Sequence, residues 1–484
     1  MESIKKNFLY NILYQMLIIL IPLITAPYLS RKLGVEGIGG YSYNYAIANY
    51  FVIFINLGIG NYGNRSIAAS RNDRQKLSIC FWEIFSVKIF LSLIIVPIYI
   101  SYGLFICESK VITLILLLYV FSASIDISWL YFGLEKFKIT VTRNTIIKIV
   151  TVLCIFIFVK SENDLWKYTL IMSMGTFISQ LYLWFTLKKY IDFVKISFFN
   201  IKKHIKPILI MFIPVIAYSI YKIMDKIMLG GITDMTQSGI YENSEKIVNI
   251  PLGVITALGT VMLPRMSNMV ANKETKKSME YINYSFQLVT IIASAIVFGL
   301  IGVSNVLVPI FFGEGFFGCV HVIKILSLSV FFVSWANVIR TQYLIPFKKD
   351  KVYVISSFCG AVINFILNIV LIKRFGAIGA GIATLIAEAM VFIVQVYYTK
   401  SIFAYLGLFF SSFKYILLGM IMSISVYMLG EHMSTSIFTL VVQVLIGGVI
   451  FIIGLLICVF TFNDKLEIFI RDEFSSCIKK YKKK

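Results

Sequence analysis

Charged side chains interrupt several long apolar stretches of this sequence, where they can bind an ion or pair with one another. Asp225 lies between Lys222 and Lys226, and the spacing places Lys222 and Asp225 on one face of a helix. The alternative is a structural role, in which a lysine extends to the outer lipid headgroups of a membrane and forms a local ion pair. Glu388 lies near the middle of a later stretch, where so short a side chain cannot reach water. Either it serves in function, or it is a neutral carboxylic acid that bonds one helix to another.

Two sets of ionisable residues are candidates for binding and coupling, because each charge inside a bilayer costs on the order of 3 kcal/mol and needs a compensating reason. Cations suit a pyrophosphate or another anionic headgroup, since they supply both charge and hydrogen-bond donors. Carboxylates suit coupling to H+ or Na+. The same residues could instead lock helices together. The predicted cavity cations are Lys88, Lys148, Lys222, Lys226, Lys324, Arg65 and Arg265. The predicted coupling or gating acids are Asp126, Asp225, Glu245 and Glu388.

Catalytic and nucleotide-binding motifs are absent from the sequence. It contains no Walker-type glycine loop, no His-Glu-x-x-His and no nucleophile elbow. The three histidines, His204, His321 and His432, are far apart, which argues against histidine chemistry. The seven cysteines lack the paired spacing of a zinc site or a disulfide framework. We therefore predict no enzyme activity, no metal and no cofactor. If the protein transports a substrate, the energy for transport must then come from an ion gradient, the membrane potential or the substrate gradient, unless a partner supplies ATP.

The composition indicates that membrane-spanning helices position these residues. Of the 484 residues, 59% are hydrophobic and only 14% are charged, whereas soluble domains have about 45 to 50% and about 25%. About fourteen runs reach the length of about 20 apolar residues that a bilayer crossing needs. These runs are apolar on every face, which excludes strands of alternating polarity. The predicted fold class is an all-α integral membrane protein, whose first helix is retained rather than cleaved as a signal.

The distribution of basic residues predicts the orientation of the spans. With a cytoplasmic amino terminus, the cytoplasmic segments hold about thirty Lys and Arg and the opposite turns hold about seven. An even number of spans then places both termini in the cytoplasm. The asymmetry also explains the net charge of +21, because anionic lipids attract basic residues at the inner face, and nucleic-acid binding is not needed. The predicted cytoplasmic segments include 65–76, 136–143, 188–206, 265–277, 348–351 and the basic end at 479–484.

A repeat with an offset of 200 residues relates two parts of the chain. In both parts the preceding helix contains an interior proline, Pro22 and Pro214, which can kink a spanning helix. Two parallel repeats of six helices, followed by two more helices, fit this offset. The matched residues are Gly39, Tyr41, Ile47, Asn49, Ile55 and Arg65 with Gly239, Tyr241, Ile247, Asn249, Ile255 and Arg265.

The repeat predicts four parts of the chain. Residues 1–200 form a first six-helix lobe and residues 201–400 form a second, pseudo-symmetric lobe. Residues 401–461 form two additional spans, and residues 462–484 form a basic cytoplasmic tail. We expect the lysines of this tail to contact anionic lipids of the inner leaflet.

Three segments resemble bacterial polysaccharide repeat-unit flippases. The first is a proline-kinked helix that runs into Tyr-Leu-Ser-Arg-Lys-Leu-Gly and then Gly-Gly-Tyr. The second is residues 225–230 followed by Gly239-Ile-Tyr241, and the third is residues 375–388 with a Gly-x-x-Gly-x-Gly pattern and a final glutamate. The resemblance covers almost the whole chain. It places the sequence in the superfamily of multidrug extruders, oligosaccharide-lipid exporters and peptidoglycan-precursor flippases.

The resemblance implies two helical lobes around a cavity that opens alternately to the two sides. The implied cargo is an undecaprenyl-pyrophosphate-linked oligosaccharide for O-antigen or capsule, carried to the outer leaflet of the bacterial plasma membrane. Membrane lipids, H+ or Na+ and a polysaccharide polymerase are the implied partners. A cation-coupled exporter of drugs or small molecules with the same fold is the alternative. A membrane-embedded glycosyltransferase or polymerase is disfavoured, because it needs a large extramembrane loop and every turn here is short.

Overall fold

Helices make up the regular structure of the protein. The computed structural model describes residues 2–195, 198–462, 464, 467–468 and 471, and no strand occurs among them. The predicted all-α membrane fold is confirmed. The helices are α1 Glu2–Asn56, α2 Ile59–Ser70, α3 Arg74–Phe105, α4 Lys110–Ser124, α5 Ser128–Gly133, α6 Phe137–Phe158, α7 Leu165–Leu187, α8 Phe198–Ile232, α9 Met235–Ala271, α10 Thr275–Phe312, α11 Gly318–Val338, α12 Asp350–Thr399, α13 Tyr405–His432 and α14 Ile437–Thr461.

Ten segments of the described residues are long and apolar enough to cross a membrane. Two of the helices are broken by a glycine in the left-handed region of backbone space. Gly34 has φ 68° inside α1, and Gly376 has φ 54° inside α12. Glycine adopts these angles without the Cβ clash that other residues suffer. A straight helix of 50 residues would be about 75 Å long, so the break at Gly376 divides α12 into two crossings of a core of about 30 Å. The predicted number of about fourteen membrane-spanning helices stays a prediction.

Several helices include basic residues that were assigned to cytoplasmic segments between helices. Arg65 lies within α2, Arg143 within α6 and Arg265 within α9, although all three were assigned to cytoplasmic turns. The first helix also continues past Arg31 to the break at Gly34. Arginine has a long apolar stem and a charged head, so a helix that leaves the bilayer keeps its backbone hydrogen bonds while the head reaches the interface. The helices therefore extend into these segments, and the predicted cytoplasmic location of the segments stays a prediction.

The chain forms two compact units, Met1–Gly239 and Ile240–Lys484. In the first unit, one buried cluster gathers Phe81, Ile84 and Trp129, and a second gathers Tyr99 and Leu116. In the second unit, the centre is aromatic. Trp335 lies near the rings of Phe286, Phe331, Phe392 and Phe409, with centroid distances of 5.8, 5.4, 5.3 and 5.0 Å. The division at residue 200 that the repeat predicts stays a prediction.

Large apolar side chains also cover the outside of the protein. On α3, Phe90 is 60% exposed and Leu93 is 70% exposed. On α14, Phe438, Leu445 and Phe460 are exposed as well. A water-soluble protein rarely presents apolar surface on this scale. Lipid is the solvent that such a surface requires, which agrees with a protein that crosses the membrane many times.

Two helix backbones touch at a pair of glycines 200 positions apart. A Cβ atom added to Gly39 would lie 1.6 Å from the carbonyl oxygen of Met235, and one added to Gly239 would lie 2.1 Å from the carbonyl oxygen of Val35. The contact is reciprocal, because Val35 and Met235 differ by the same offset as the glycines. Small residues allow this closeness where helices cross in a bilayer. The second half of α1 and the start of α9 are therefore held together without intervening side chains.

Candidate functional site

The helix that begins at Lys110 is interrupted in its interior, and side chains from two neighbouring helices bind the exposed carbonyl groups. Trp184 on α7 donates its indole N–H to the carbonyl of Ile125 at 2.7 Å. Lys88 on α3 donates from Nζ to the carbonyl of Asp126 at 2.6 Å. The Asp126 carboxylate accepts the backbone N–H of Ser128, the first residue of α5, at 2.8 Å. Broken backbone inside a bilayer needs such partners because no water satisfies it.

Lys88 is fully buried, with 0% of its surface exposed. It lies about 20 Å along the helix axis from Arg74, well inside a bilayer core of about 30 Å. The predicted members Lys88 and Asp126 are thus brought together by the fold. Asp126 does not lie within a continuous fourth helix, as the sequence suggested. It lies at the break between α4 and α5, because its short carboxylate competes for backbone N–H groups and favours a helix start.

A second group of predicted residues lies together on α8. Asp225 is 2% exposed, and Lys222 and Lys226 are half-buried on either side of it in the sequence. All three make polar, ionic or ring contacts with neighbouring groups. Tyr50 on α1 lies within electrostatic reach of Asp225 and donates its hydroxyl to the carbonyl of Ser219 at 3.1 Å. This part of α8 therefore carries a buried carboxylate between two cations, facing a tyrosine of α1.

The two halves of α12 form a polar seam in the second unit. Asn364 on the first half donates to the Thr384 hydroxyl at 3.5 Å, and that hydroxyl also lies 2.9 Å from the hydroxyl of Tyr241. Asn368 donates to Asn364 at 3.1 Å. Glu388 follows Thr384 by one helical turn and is 6% exposed. Among the described residues, no hydrogen bond or ion pair reaches its carboxyl group. Glu388 is therefore a buried acid beside a polar seam, and its coupling role stays a prediction.

The remaining predicted residues of the second unit are Lys324, Glu245 and Arg265. Lys324 on α11 donates to Asn305 at 3.0 Å and lies 5.7 Å from the ring centroid of Tyr427. Glu245 is half-buried on α9 and has polar or ionic contacts of its own. Arg265 is exposed and stacks on the ring of Tyr281 at 4.3 Å. These three do not converge on Glu388 through any contact that the structure describes.

In the first unit, Arg65 is exposed on α2, and Lys148 is half-buried on α6 with contacts to neighbouring groups. Arg143 is a buried cation that sequence reasoning missed. Its guanidinium donates to the carbonyl of Ser179 at 3.0 Å and to Asn144 at 2.8 Å. Arg143 was missed because the basic residues 136–143 were assigned to a cytoplasmic segment and not to a helix. The apolar run that follows it, read backward by two helical turns, would have placed it inside α6.

Comparison with known sequences identifies the family. The sequence model described as "Polysaccharide biosynthesis protein" matches residues 4–270, which is more than half of the 484 residues. The chain belongs to this family. This polysaccharide biosynthesis protein is 26% identical over 395 residues to an Escherichia coli protein named as an O-antigen transporter, covering 80% of the chain and 95% of that relative. The resemblance identified from the sequence is confirmed.

Solved structures show that the fold of this polysaccharide biosynthesis protein is shared by flippases and multidrug transporters. The lipid II flippase MurJ in an inward closed conformation aligns with a TM-score of 0.76 at 16% identity, over 96% of this chain and all of that one. An inward-facing multidrug resistance MATE family transporter of the MOP superfamily aligns with a TM-score of 0.61 at 15% identity, over 79% of this chain and 93% of that one. At such identities, the likeness concerns the fold.

Proposed function

We propose that this protein is a flippase for a lipid-linked saccharide. The observation that carries the proposal is the similarity to the Escherichia coli O-antigen transporter, which spans 95% of that protein. The buried charges support it. A lipid pyrophosphate must be met by cations inside the membrane, and Lys222 and Lys226 are half-buried on α8. Fold alone does not assign cargo, so the proposed cargo rests on the similarity to this relative and on these side chains.

The proposed cargo is an undecaprenyl-pyrophosphate-linked oligosaccharide repeat unit. In this proposal the protein moves it from the inner to the outer leaflet of the bacterial plasma membrane by alternating access, with both termini in the cytoplasm. Coupling to H+ or Na+ and contact with a polysaccharide polymerase belong to the same proposal. The asymmetry of Lys and Arg supports the orientation. The buried acids Asp225 and Glu388 support ion coupling.

A multidrug or small-molecule exporter is the second candidate, since the MATE transporter shares the fold. Drug cations favour a cavity lined by carboxylates and aromatic rings. The region of α8 described here has two cations beside one carboxylate. This balance favours an anionic cargo.

Deletion of the gene tests the proposal directly. Cells that lack the protein are expected to lose surface polysaccharide and to accumulate undecaprenyl-linked oligosaccharide on the cytoplasmic side, because synthesis continues while translocation stops. Mass spectrometry of extracted lipids and an assay of surface glycan measure both. Unchanged glycan together with altered drug tolerance would contradict the flippase and favour the exporter.

Neutralising the cations of α8 is expected to impair export in those cells. The double variant Lys222→Gln/Lys226→Gln keeps the length of both side chains nearly unchanged but removes two charges that would bind pyrophosphate. If each charge-assisted contact contributes about 1.5 kcal/mol, affinity falls on the order of 100-fold. The matched control is Lys138→Gln/Lys276→Gln, in which both lysines are exposed. Equal export by the two double variants would remove these lysines from the proposed site.

A further inference from the structure

A buried chain of polar side chains joins α2, α3 and α8 in the first unit, and the proposed transport site does not use it. Oε2 of Glu83 lies 2.8 Å from Nε2 of His204 and 2.8 Å from Nζ of Lys203. The other ring nitrogen, Nδ1 of His204, lies 2.7 Å from the hydroxyl of Tyr62. Glu83 and His204 are buried, whereas the Lys203 side chain is 57% exposed. Water therefore reaches the cluster at the lysine.

The distances define donors and acceptors when the imidazole is neutral. Nε2–H donates to the Glu83 carboxylate and the Tyr62 hydroxyl donates to Nδ1, because neutral imidazole has one donor and one acceptor. The charges of Glu83 and Lys203 then cancel. The second carboxylate oxygen, Oε1 of Glu83, is buried and has no hydrogen-bond partner in the described part of the chain. A buried carboxylate oxygen without a donor is costly, so positive charge on the neighbouring imidazole would stabilise the Glu83 carboxylate.

We propose that the His204–Glu83 pair is a proton-binding site whose loading releases Lys203. A proton taken up at Nδ1 converts the imidazole into an imidazolium with two N–H donors. The Tyr62 hydroxyl then accepts from Nδ1–H instead of donating, while Nε2–H still donates to Glu83. The cluster gains one positive charge. Lys203 is the cation that can leave, because its side chain already reaches water, and the proton belongs to the pair as a unit.

A thiol on α3 is a further titratable group beside the pair. Cys80 on α3 interacts electrostatically with Glu83 and Lys203, and its thiol bonds to Ser70 on α2. Nearby, Arg74 binds Asp192 through two hydrogen bonds of 2.7 Å each, which attaches the segment before α8 to the start of α3.

Arg74 also holds the pKa of the Asp192 carboxyl below its usual range. A carboxylate with a lowered pKa keeps its charge above that pKa and loses the ion pair only in stronger acid. The attachment between Arg74 and Asp192 therefore persists between pH 5 and 8, where histidine titrates. The Arg74–Asp192 attachment is therefore not part of the proposed proton-dependent change.

The site connects α2 and α3 of the first predicted repeat to α8, which opens the second. Loading a proton changes which group α8 presents to Glu83, and this links protonation to the contact between the helices. The coupling of this site to export rests on the proposed function. Proton binding itself rests on the geometry alone.

Nitrogen NMR of His204 tests proton binding without any cargo. The full-length double variant H321Q/H432Q keeps His204 as its single histidine, and both replaced residues are exposed. Reconstituted in liposomes and labelled with 15N-histidine, it is expected to show an unprotonated Nδ1 and a protonated Nε2 at pH 8. At pH 5 both nitrogens should be protonated. A histidine that is neutral throughout, or an imidazolium throughout, would overturn the proposal.

Export in gene-deleted cells tests the coupling. When an uncoupler is added to cells that carry H321Q, the ratio of surface glycan to lipid-linked precursor is expected to fall. In cells with H204Q the ratio should already be low and should not fall further, and Tyr62→Phe, which keeps the ring, should follow H204Q. Equal uncoupler sensitivity of H204Q and H321Q overturns the coupling. A deletion that leaves the ratio unchanged overturns the proposed function and leaves the NMR result valid.

Discussion

Replacing Gly39 with alanine is expected to destabilise the folded protein by about 2 kcal/mol or more and to abolish most export. The added Cβ would lie 1.6 Å from the carbonyl oxygen of Met235, so the two helix backbones must separate. Backbone cannot move aside as a flexible side chain can, which makes even one methyl group costly. Gly239→Ala should behave alike, because its Cβ would lie 2.1 Å from the carbonyl oxygen of Val35. Thermal unfolding in detergent and the surface-glycan assay measure the two effects.

Gly231→Ala is the matched control for this prediction. Gly231 lies in α8, and a Cβ added there meets no atom within 4 Å. Alanine is favoured over glycine in a helix by about 1 kcal/mol, so this variant should be neutral or slightly more stable. The two variants are expected to change stability in opposite directions. The comparison therefore distinguishes the effect of the backbone contact from the effect of helix propensity. If Gly39→Ala were as stable as Gly231→Ala, the two backbones would not be in contact.

Lys88→Ala is expected to destabilise the protein by about 3 kcal/mol or more. The buried carbonyl of Asp126 would lose its donor, at a cost of about 1 to 3 kcal/mol, and the lost stem would leave a cavity that adds to this cost. Lys88→Met fills the same space without the donor, so it should show the smaller loss. Unfolding midpoints of the purified variants measure both values.

The control for Lys88 is Lys138→Ala, which removes an exposed lysine from α6 and should change stability by less than about 0.5 kcal/mol. The comparison also separates two roles for Lys88. A lysine that binds cargo would leave a stable protein without export when replaced. A lysine that satisfies the break between α4 and α5 would leave an unstable one, which is the result we expect.

Much of the fold could be predicted from single residues and their spacing. The break in α12 coincides with Gly376, the first glycine of the Gly-x-x-Gly-x-Gly pattern. Gly39 and Gly239 are matched by their offset of 200 residues, and a repeated spacing of this kind is visible in one sequence. The interruption after Ser124 was not predicted, although Asp126 and the serines on either side of it can compete with the helix for backbone hydrogen bonds.

The site was only partly predictable. Lys88 and Asp126 were selected as charges within spans, but their partnership depends on how α3 and α4 are rotated. Glu83 was overlooked because it follows the basic segment before α3, and His204 because a lone histidine among lysines has no motif. Their contact joins residues 121 positions apart. Only packing brings such residues together.

The sequence by itself determined that the chain crosses a membrane as helices, which ends are basic, and which family it resembles. The first two properties follow from composition and charge distribution, since lipid excludes unpaired backbone and uncompensated charge whatever the packing. The resemblance follows from the matched segments. The tertiary structure decided which charges meet, where a span is broken, and that His204 and Glu83 form a pair. Helices that are apolar on every face carry no pattern that fixes their rotation, so the contacts between their few polar side chains are set by packing alone.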